Sequence, residues 1–126
     1  MTKTILIIEP NAELRRDLCD MLEVDSYHPI GADGALTGIA LAKQHQPDLI
    51  FCELGEPDLI GIQVAEALRQ DKATQQIPVV CLVTKIDRRL LRDNLSNFAD
   101  YLTKPFAYEE IHTIIVRFTG TLFTDP

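Results

Sequence analysis

Short, unbroken apolar runs alternate along this chain with longer segments whose apolar residues recur every three or four positions. Thr4-Ile5-Leu6-Ile7-Ile8 is the first such run, the pattern of a strand covered on both faces. It stops at Glu9-Pro10, after which Asn11 is placed to cap a helix carrying Leu14, Leu18, Met21 and Leu22. A weaker strand is predicted around Tyr27 to Ile30. Asp33-Gly34 then opens a second helix, with Leu36, Ile39, Ala40 and Lys43 at helical spacing, ending before Pro47. Asp48 to Glu53 reads as a strand, and the loop after it holds Gly55, Pro57 and Gly61. A third helix follows from about Ile62 to Asp71, with Val64, Ala65 and Leu68 inward. Pro78 to Thr84 is another buried-type strand. Asp87 is expected to cap a fourth helix with Leu91, Leu95 and Phe98 on one face. Asp100 to Thr103 is a short strand closed by Lys104-Pro105, and Tyr108, Ile111, Ile115 and Phe118 stripe a last helix. The polar segment from Thr119 to Pro126 is expected to be a flexible tail. Five strand–helix units predict an α/β fold, a parallel sheet with helices on both faces.

The 126 residues suit one domain with a single core, and no linker or low-complexity stretch divides them. Nineteen acids against twelve bases give a formal charge of −7, which argues against a phosphate-binding surface and hence against direct nucleic-acid binding. No apolar run approaches the length of a membrane span, and the N-terminus shows no signal-peptide pattern, so the expected compartment is the cytoplasm. Cys19, Cys52 and Cys81 have no metal-ligand spacing. Packing is the expected role of Cys52 and Cys81, with a redox pair open to them only if their strands are neighbours. His28, His45 and His112 are scattered and suggest surface or packing roles.

In an open parallel sheet, sites form beyond the carboxyl ends of the strands. Glu9, Glu53, Val83, Thr84 and Lys104 stand at or just past those ends. Two carboxylates there suit a hard cation, and a lysine suits an added phosphoryl group; a merely solvated rim is the bland alternative. The chain resembles the receiver domain of two-component response regulators. The stretches that carry the resemblance are Ile5 to Glu9, Pro47 to Ile50, Glu53 through Pro57 to Gly61, Ile77 to Val80, and Tyr101-Leu102-Thr103-Lys104-Pro105-Phe106. It covers residues 3 to 118 and sets the domain at 1–118. It implies a flavodoxin-like, doubly wound five-stranded sheet in the order 2-1-3-4-5 with five helices.

The resemblance also implies a site, and this chain departs from it. The acidic pair that would ligate magnesium falls on Glu9 and Pro10, so one ligand is gone. The phosphoacceptor aspartate falls on Glu53, whose carboxylate sits about one C–C bond, ~1.5 Å, farther out. An error of that size costs ~100-fold in a positioned reaction. The hydroxyl that would contact the phosphoryl group falls on Val83, with Thr84 one place late. Tyr101 matches the aromatic that reorients in active receivers, and Lys104 is intact. Glu9 and Glu53 remain as oxygen donors for a metal, so magnesium binding should be weakened, and no other cofactor is expected.

These departures favour a non-enzymatic pseudo-receiver of two-component or phosphorelay type, working by protein–protein interaction. Glu53 then either imitates a phosphorylated aspartate by pairing with Lys104, or is a tolerated polar residue in a decayed site. One alternative is a magnesium-dependent phosphoacceptor using Glu53 or a nearby acid, Glu56 or Asp58. Another is a flavin-binding protein of the same topology, disfavoured because Glu9-Pro10-Asn11-Ala12-Glu13 supplies acids where a phosphate loop is needed. The expected partners are signalling proteins, a histidine kinase or an output protein. They would dock on the face formed by the fourth helix, fifth strand and fifth helix, where Arg88, Arg89 and Arg92 make a basic stretch. A homodimer through that face is a further expectation.

Overall fold

The computed structural model describes residues 2–55, 60–84 and 95–120. Five parallel strands form one sheet in the order β2-β1-β3-β4-β5. They are β1 (Thr4–Ile8), β2 (His28–Ala32), β3 (Leu49–Glu53), β4 (Val79–Val83) and β5 (Asp100–Thr103). The helices among the described residues are α1 (Ala12–Val24), α2 (Ala35–His45), α3 (Ile60–Gln70) and α4 (Tyr108–Thr119). The expected sheet order and α/β class are therefore present.

The unbroken apolar runs have a direct structural cause. Alternate residues of the central strands enter two cores on opposite faces of the sheet. Leu6, Ile8, Ile50, Cys52, Val79, Cys81 and Val83 pack on the side of α2 and α3, with Ala42, Val64, Ala65, Leu68 and Phe98. Ile5, Ile7, Leu49, Phe51, Val80, Leu82 and Leu102 pack with Leu18 and Leu22 of α1 and with Ile111, Ile114 and Ile115 of α4. Cys52 and Cys81 are register partners on neighbouring strands. Both are free, fully buried thiols. Burial pushes Cys81 up to about 12 and Cys52 well above its ordinary value, which suppresses the thiolate that disulfide chemistry needs.

Four details differ from the sequence expectation. Helix α2 does not bury Leu36 or Ala40, both of which are exposed; its inward residues are Gly38 and Ala42. The helix lies so close to β1 that a Cβ on Gly38 would stand 2.5 Å from Ile8 Cδ1, so small residues form its contact face. On α1, Leu18 and Leu22 are buried while Met21 is 46% exposed. Helix α3 starts at Ile60 rather than Ile62. The helix expected from Asp87 falls mostly on residues 85–94, outside the described residues, and its expected end is a 3₁₀ turn, Leu95–Asn97. The chain must bury Phe98 and then enter the ladder at once, where the Ala99 amide donates to the Val79 carbonyl at 2.8 Å, so a helix cannot continue there. Gly120 ends α4 in the left-handed region, and the expected tail at 121–126 lies outside the described residues.

Gly61 sets the distance between α3 and the end of β3. A Cβ there would lie 2.6 Å from the Glu53 carbonyl oxygen, a backbone atom that cannot swing aside. Gly61→Ala should destabilise the domain by about 1–2 kcal/mol, overpacking of about 1–3 kcal/mol less up to about 1 kcal/mol of helix propensity. Urea unfolding of the two proteins measures the difference.

Candidate functional site

The carboxyl edge of the sheet gathers three charged side chains from three strand ends. Glu9 prolongs the β1–β2 ladder, its amide donating to the Ala32 carbonyl at 2.9 Å, and its side chain is buried at 2% exposure. Glu53 is the last residue of β3. The next amide, Leu54, donates to the Leu82 carbonyl at 2.8 Å and holds this end against β4. Lys104 follows β5, its amide donating to the Val83 carbonyl at 2.6 Å. From there the Lys104 ammonium donates to Glu9 Oε1 at 2.6 Å and also to Glu53 Oε2.

Two residues that the sequence reading assigned no part in the site complete its geometry. The Asn11 amide donates to Glu9 Oε2 at 3.1 Å, while Asn11 Oδ1 accepts from the Leu14 amide at 2.9 Å and caps α1. Arg15 Nη1 donates to the Glu9 carbonyl oxygen at 2.7 Å. The capping role of Asn11 was visible from its position; a side chain reaching a main-chain carbonyl six residues away leaves no sequence pattern.

Electrostatics follow from two carboxyls and one ammonium. Burial is the main cause that raises the pKa of Glu53. A hydrogen bond from protonated Glu53 to Glu9 adds to the rise, and Lys104 opposes it. For Lys104, burial works against the charged form, but the two carboxylates outweigh it and the pKa rises.

The other candidates stand around this group. Pro10 is exposed and brings no carboxylate; Val83 is buried in the apolar core and its next neighbour, Thr84, is exposed. Thr84 borders an open, mainly apolar groove of ≈ 440 Å³ with Leu14, Lys104, Pro105 and Phe106. Tyr101 is exposed on β5. Glu56, Asp58, Arg88, Arg89 and Arg92 lie outside the described residues.

A magnesium ion needs oxygen donors with free lone pairs in near-octahedral array. Here Glu9 accepts from Lys104 on one oxygen and from Asn11 on the other, Glu53 accepts from Lys104, and the side chain of Pro10 has no oxygen to offer. Among the described residues, no group of three or more His, Cys, Asp or Glu side chains could hold a metal ion. The described donors do not fit the ion.

Residues 5–116 match the family model of the response regulator receiver domain. The chain belongs to this family. It is 28% identical over 123 residues to the polar-differentiation response regulator DivK of Brucella ovis, covering 95% of this chain and 98% of that one. It is 32% identical over 114 residues to hybrid signal transduction histidine kinase D of Dictyostelium discoideum, covering 90% of this chain and 7% of the kinase. In fold it resembles the chemotaxis protein CheY4 of Vibrio cholerae, with a TM-score of 0.86 at 18% identity over 94% of this chain and 99% of that one. It also resembles the receiver domain of sensor histidine kinase PA1611 from Pseudomonas aeruginosa, a structure with magnesium coordinated in its active-site cleft. That match has a TM-score of 0.82 at 23% identity, over 96% of this chain and all of that one. The protein is thus a receiver domain of two-component signalling. No helix among its described residues is long and apolar enough to cross a membrane.

The charge cluster makes stability fall with rising pH in two windows. A Glu53 pKa raised above 4.5 in the folded state contributes stability that is full below pH 4.5 and lost as pH rises through the folded value. A raised Lys104 pKa contributes stability that is lost only above pH 10.5. Glu53→Gln should abolish the first decline and shrink the second, because Glu53 is one of the two carboxylates that raise Lys104. Chemical unfolding across pH 4 to 7 compares the slopes.

Proposed function

We propose that this receiver signals by binding partner proteins, with its strand-end site held in one charge arrangement and without a conventional cycle of aspartyl phosphorylation. The observation that carries the reading is the Lys104 ammonium, engaged by both Glu9 and Glu53. Glu53 occupies the position of the phosphoacceptor aspartate, and its longer side chain brings a carboxylate to the lysine that would otherwise neutralise a phosphoryl group. This supports partial mimicry of the phosphorylated state, with one negative charge where a phosphate carries nearly two. Val83 stands at the position of the phosphoryl-contacting hydroxyl and has no hydrogen to donate. Tyr101 therefore receives no hydroxyl-mediated signal from this site.

The same geometry weighs against the alternatives. A working phosphoacceptor needs a cation and a free lysine, and the described side chains offer neither. Flavin binding needs an anion cradle at the start of α1, yet the Asn11 amide there already donates to a buried carboxylate. On this reading the domain is a cytoplasmic, non-enzymatic module without a bound cofactor, and histidine kinases or output proteins are its class of partner.

Incubation with acetyl phosphate and magnesium should leave the intact mass unchanged. A phosphoryl adduct on Glu53, Glu56 or Asp58 would overturn the reading. Millimolar magnesium should likewise leave the thermal midpoint unchanged, whereas a rise would mean that the ion binds the folded state.

The cluster itself can be tested by removing its cation. Lys104→Met should cost about 3 kcal/mol, because two largely buried carboxyls lose their partner. Adding Glu53→Gln to that variant should recover part of the loss in urea unfolding.

A further inference from the structure

Away from the ion cluster, four polar side chains meet where the end of α1, the start of β2 and α4 pack together. Asp25 caps the carboxyl end of α1, and Tyr27 stands just before β2. Tyr108 and His112 are four apart and so share one side of α4. The His112 ring lies 6.2 Å from the Tyr27 ring and 6.4 Å from the Tyr108 ring, centroid to centroid. Tyr27 is 5% exposed, and its hydroxyl has no hydrogen-bond partner among the described residues. The Tyr108 hydroxyl and the His112 Nε2 are likewise shut off from solvent.

A buried hydroxyl without a partner costs about 1–3 kcal/mol and calls for a ligand that engages it. Burial, followed by the charge of Asp25, raises the pKa of Tyr27. Burial also leads for Tyr108, and Asp25 and then Tyr27 add to the rise. Asp25 therefore faces both phenols, and the phenols face each other. The donor set decides what it can hold. Asp25 repels an anion. A carboxylate and two phenol oxygens are hard donors, and imidazole is a ligand that iron accepts. Phenols held so high give up their protons only to a highly charged cation, which inverts the local electrostatics. Two phenolates and Asp25 then carry three negative charges, which match one trivalent ion. A groove of ≈ 280 Å³ opens onto Asp25 and Tyr108 between Met21 and Val24 and gives an ion its way in.

We propose that Asp25, Tyr27, Tyr108 and His112 form a binding site for a ferric ion. As each phenol binds, an O–Fe bond replaces its O–H bond and the proton passes to solvent; the iron stays ferric throughout. His112 brings a neutral nitrogen, and water fills the remaining coordination positions. An ion so placed ties the end of α1 and the start of β2 to α4. It is taken up reversibly from solution, as a regulatory ligand rather than a resident cofactor. The site shares no residue with the cluster of Glu9, Glu53 and Lys104, so it is independent of whether Glu53 accepts phosphate.

The test is titration of the full chain with ferric citrate, a weak chelate that keeps the metal in solution. Phenolate bound to ferric iron gives a visible charge-transfer band, which carboxylate and imidazole ligands alone do not. The protein should develop that band to saturation at one ion per chain, and its thermal midpoint should rise. Tyr27→Phe removes one oxygen and keeps the ring, so the fold survives. It should weaken binding about tenfold or more, at least the cost of losing an outer-shell partner of a metal site. Adding Tyr108→Phe should abolish both the band and the thermal shift. Tyr101→Phe alters the one other tyrosine of the chain, exposed on β5, and should change neither. A protein that stays colourless would overturn the proposal and leave the phenols to ordered water. A band that survives in the double variant, or that Tyr101→Phe removes, would overturn it by placing the iron elsewhere.

Discussion

The arrangement of the carboxyl edge turns on one ammonium group shared by two carboxyls. Lys104 leaves β5, passes across the end of β4 and reaches β3 and β1, so the contact exists only when four adjacent strand ends are in register. The sheet order is what makes this possible. With β1 and β3 neighbouring, Glu9 and Glu53 come close enough for one lysine to serve both. At the end of β4, Val83 is apolar and buried, so no side-chain donor there competes with the lysine for either carboxylate.

Holding charges in such a place is costly, and the fold offsets the cost locally. Glu9 is the most deeply buried of the three, and both of its carboxyl oxygens accept a hydrogen bond, from Lys104 and from the Asn11 amide. Its main-chain carbonyl accepts from Arg15, which anchors the turn between β1 and α1. Among the described residues, no backbone amide donates to the Glu53 carboxylate. Burial raises the pKa of Glu53 first, the neighbouring Glu9 adds to the rise, and the shared lysine only partly opposes it.

Much of the scaffold was legible in the sequence because strands covered on both faces must be apolar at every position. The run at Thr4–Ile8 is a strand at those bounds, and so is Asp100–Thr103, a partly exposed edge strand recognised instead by its place before Lys104-Pro105. Helix α2 was harder to read. Its contact face is built on Gly38 and Ala42, and small residues carry almost no periodic signal, whereas the exposed Leu36 carries a strong misleading one. The end of the expected fourth helix failed for another reason: the buried Phe98 looks helical by spacing but serves a turn that feeds β5. At the site, the strand-end rule and the family resemblance together picked out Glu9, Glu53 and Lys104. The direct engagement of Glu9 by Lys104, and the support from Asn11 and Arg15, depend on side-chain reach and on main-chain acceptors, which no spacing rule encodes.

The carboxyl edge carries two features, the largely buried ion cluster and the open groove beside it. At the strand ends one cation already answers two carboxyls, and the group is closed on itself. The two features are physically joined at the start of α1. The Leu14 amide donates to Asn11 Oδ1, and the Asn11 amide donates to Glu9. Leu14 also lines the groove that Lys104, Pro105 and Phe106 border. The contacts that hold the charges therefore also hold two walls of the groove, Leu14 through the cap of α1 and Lys104 through its carboxylates.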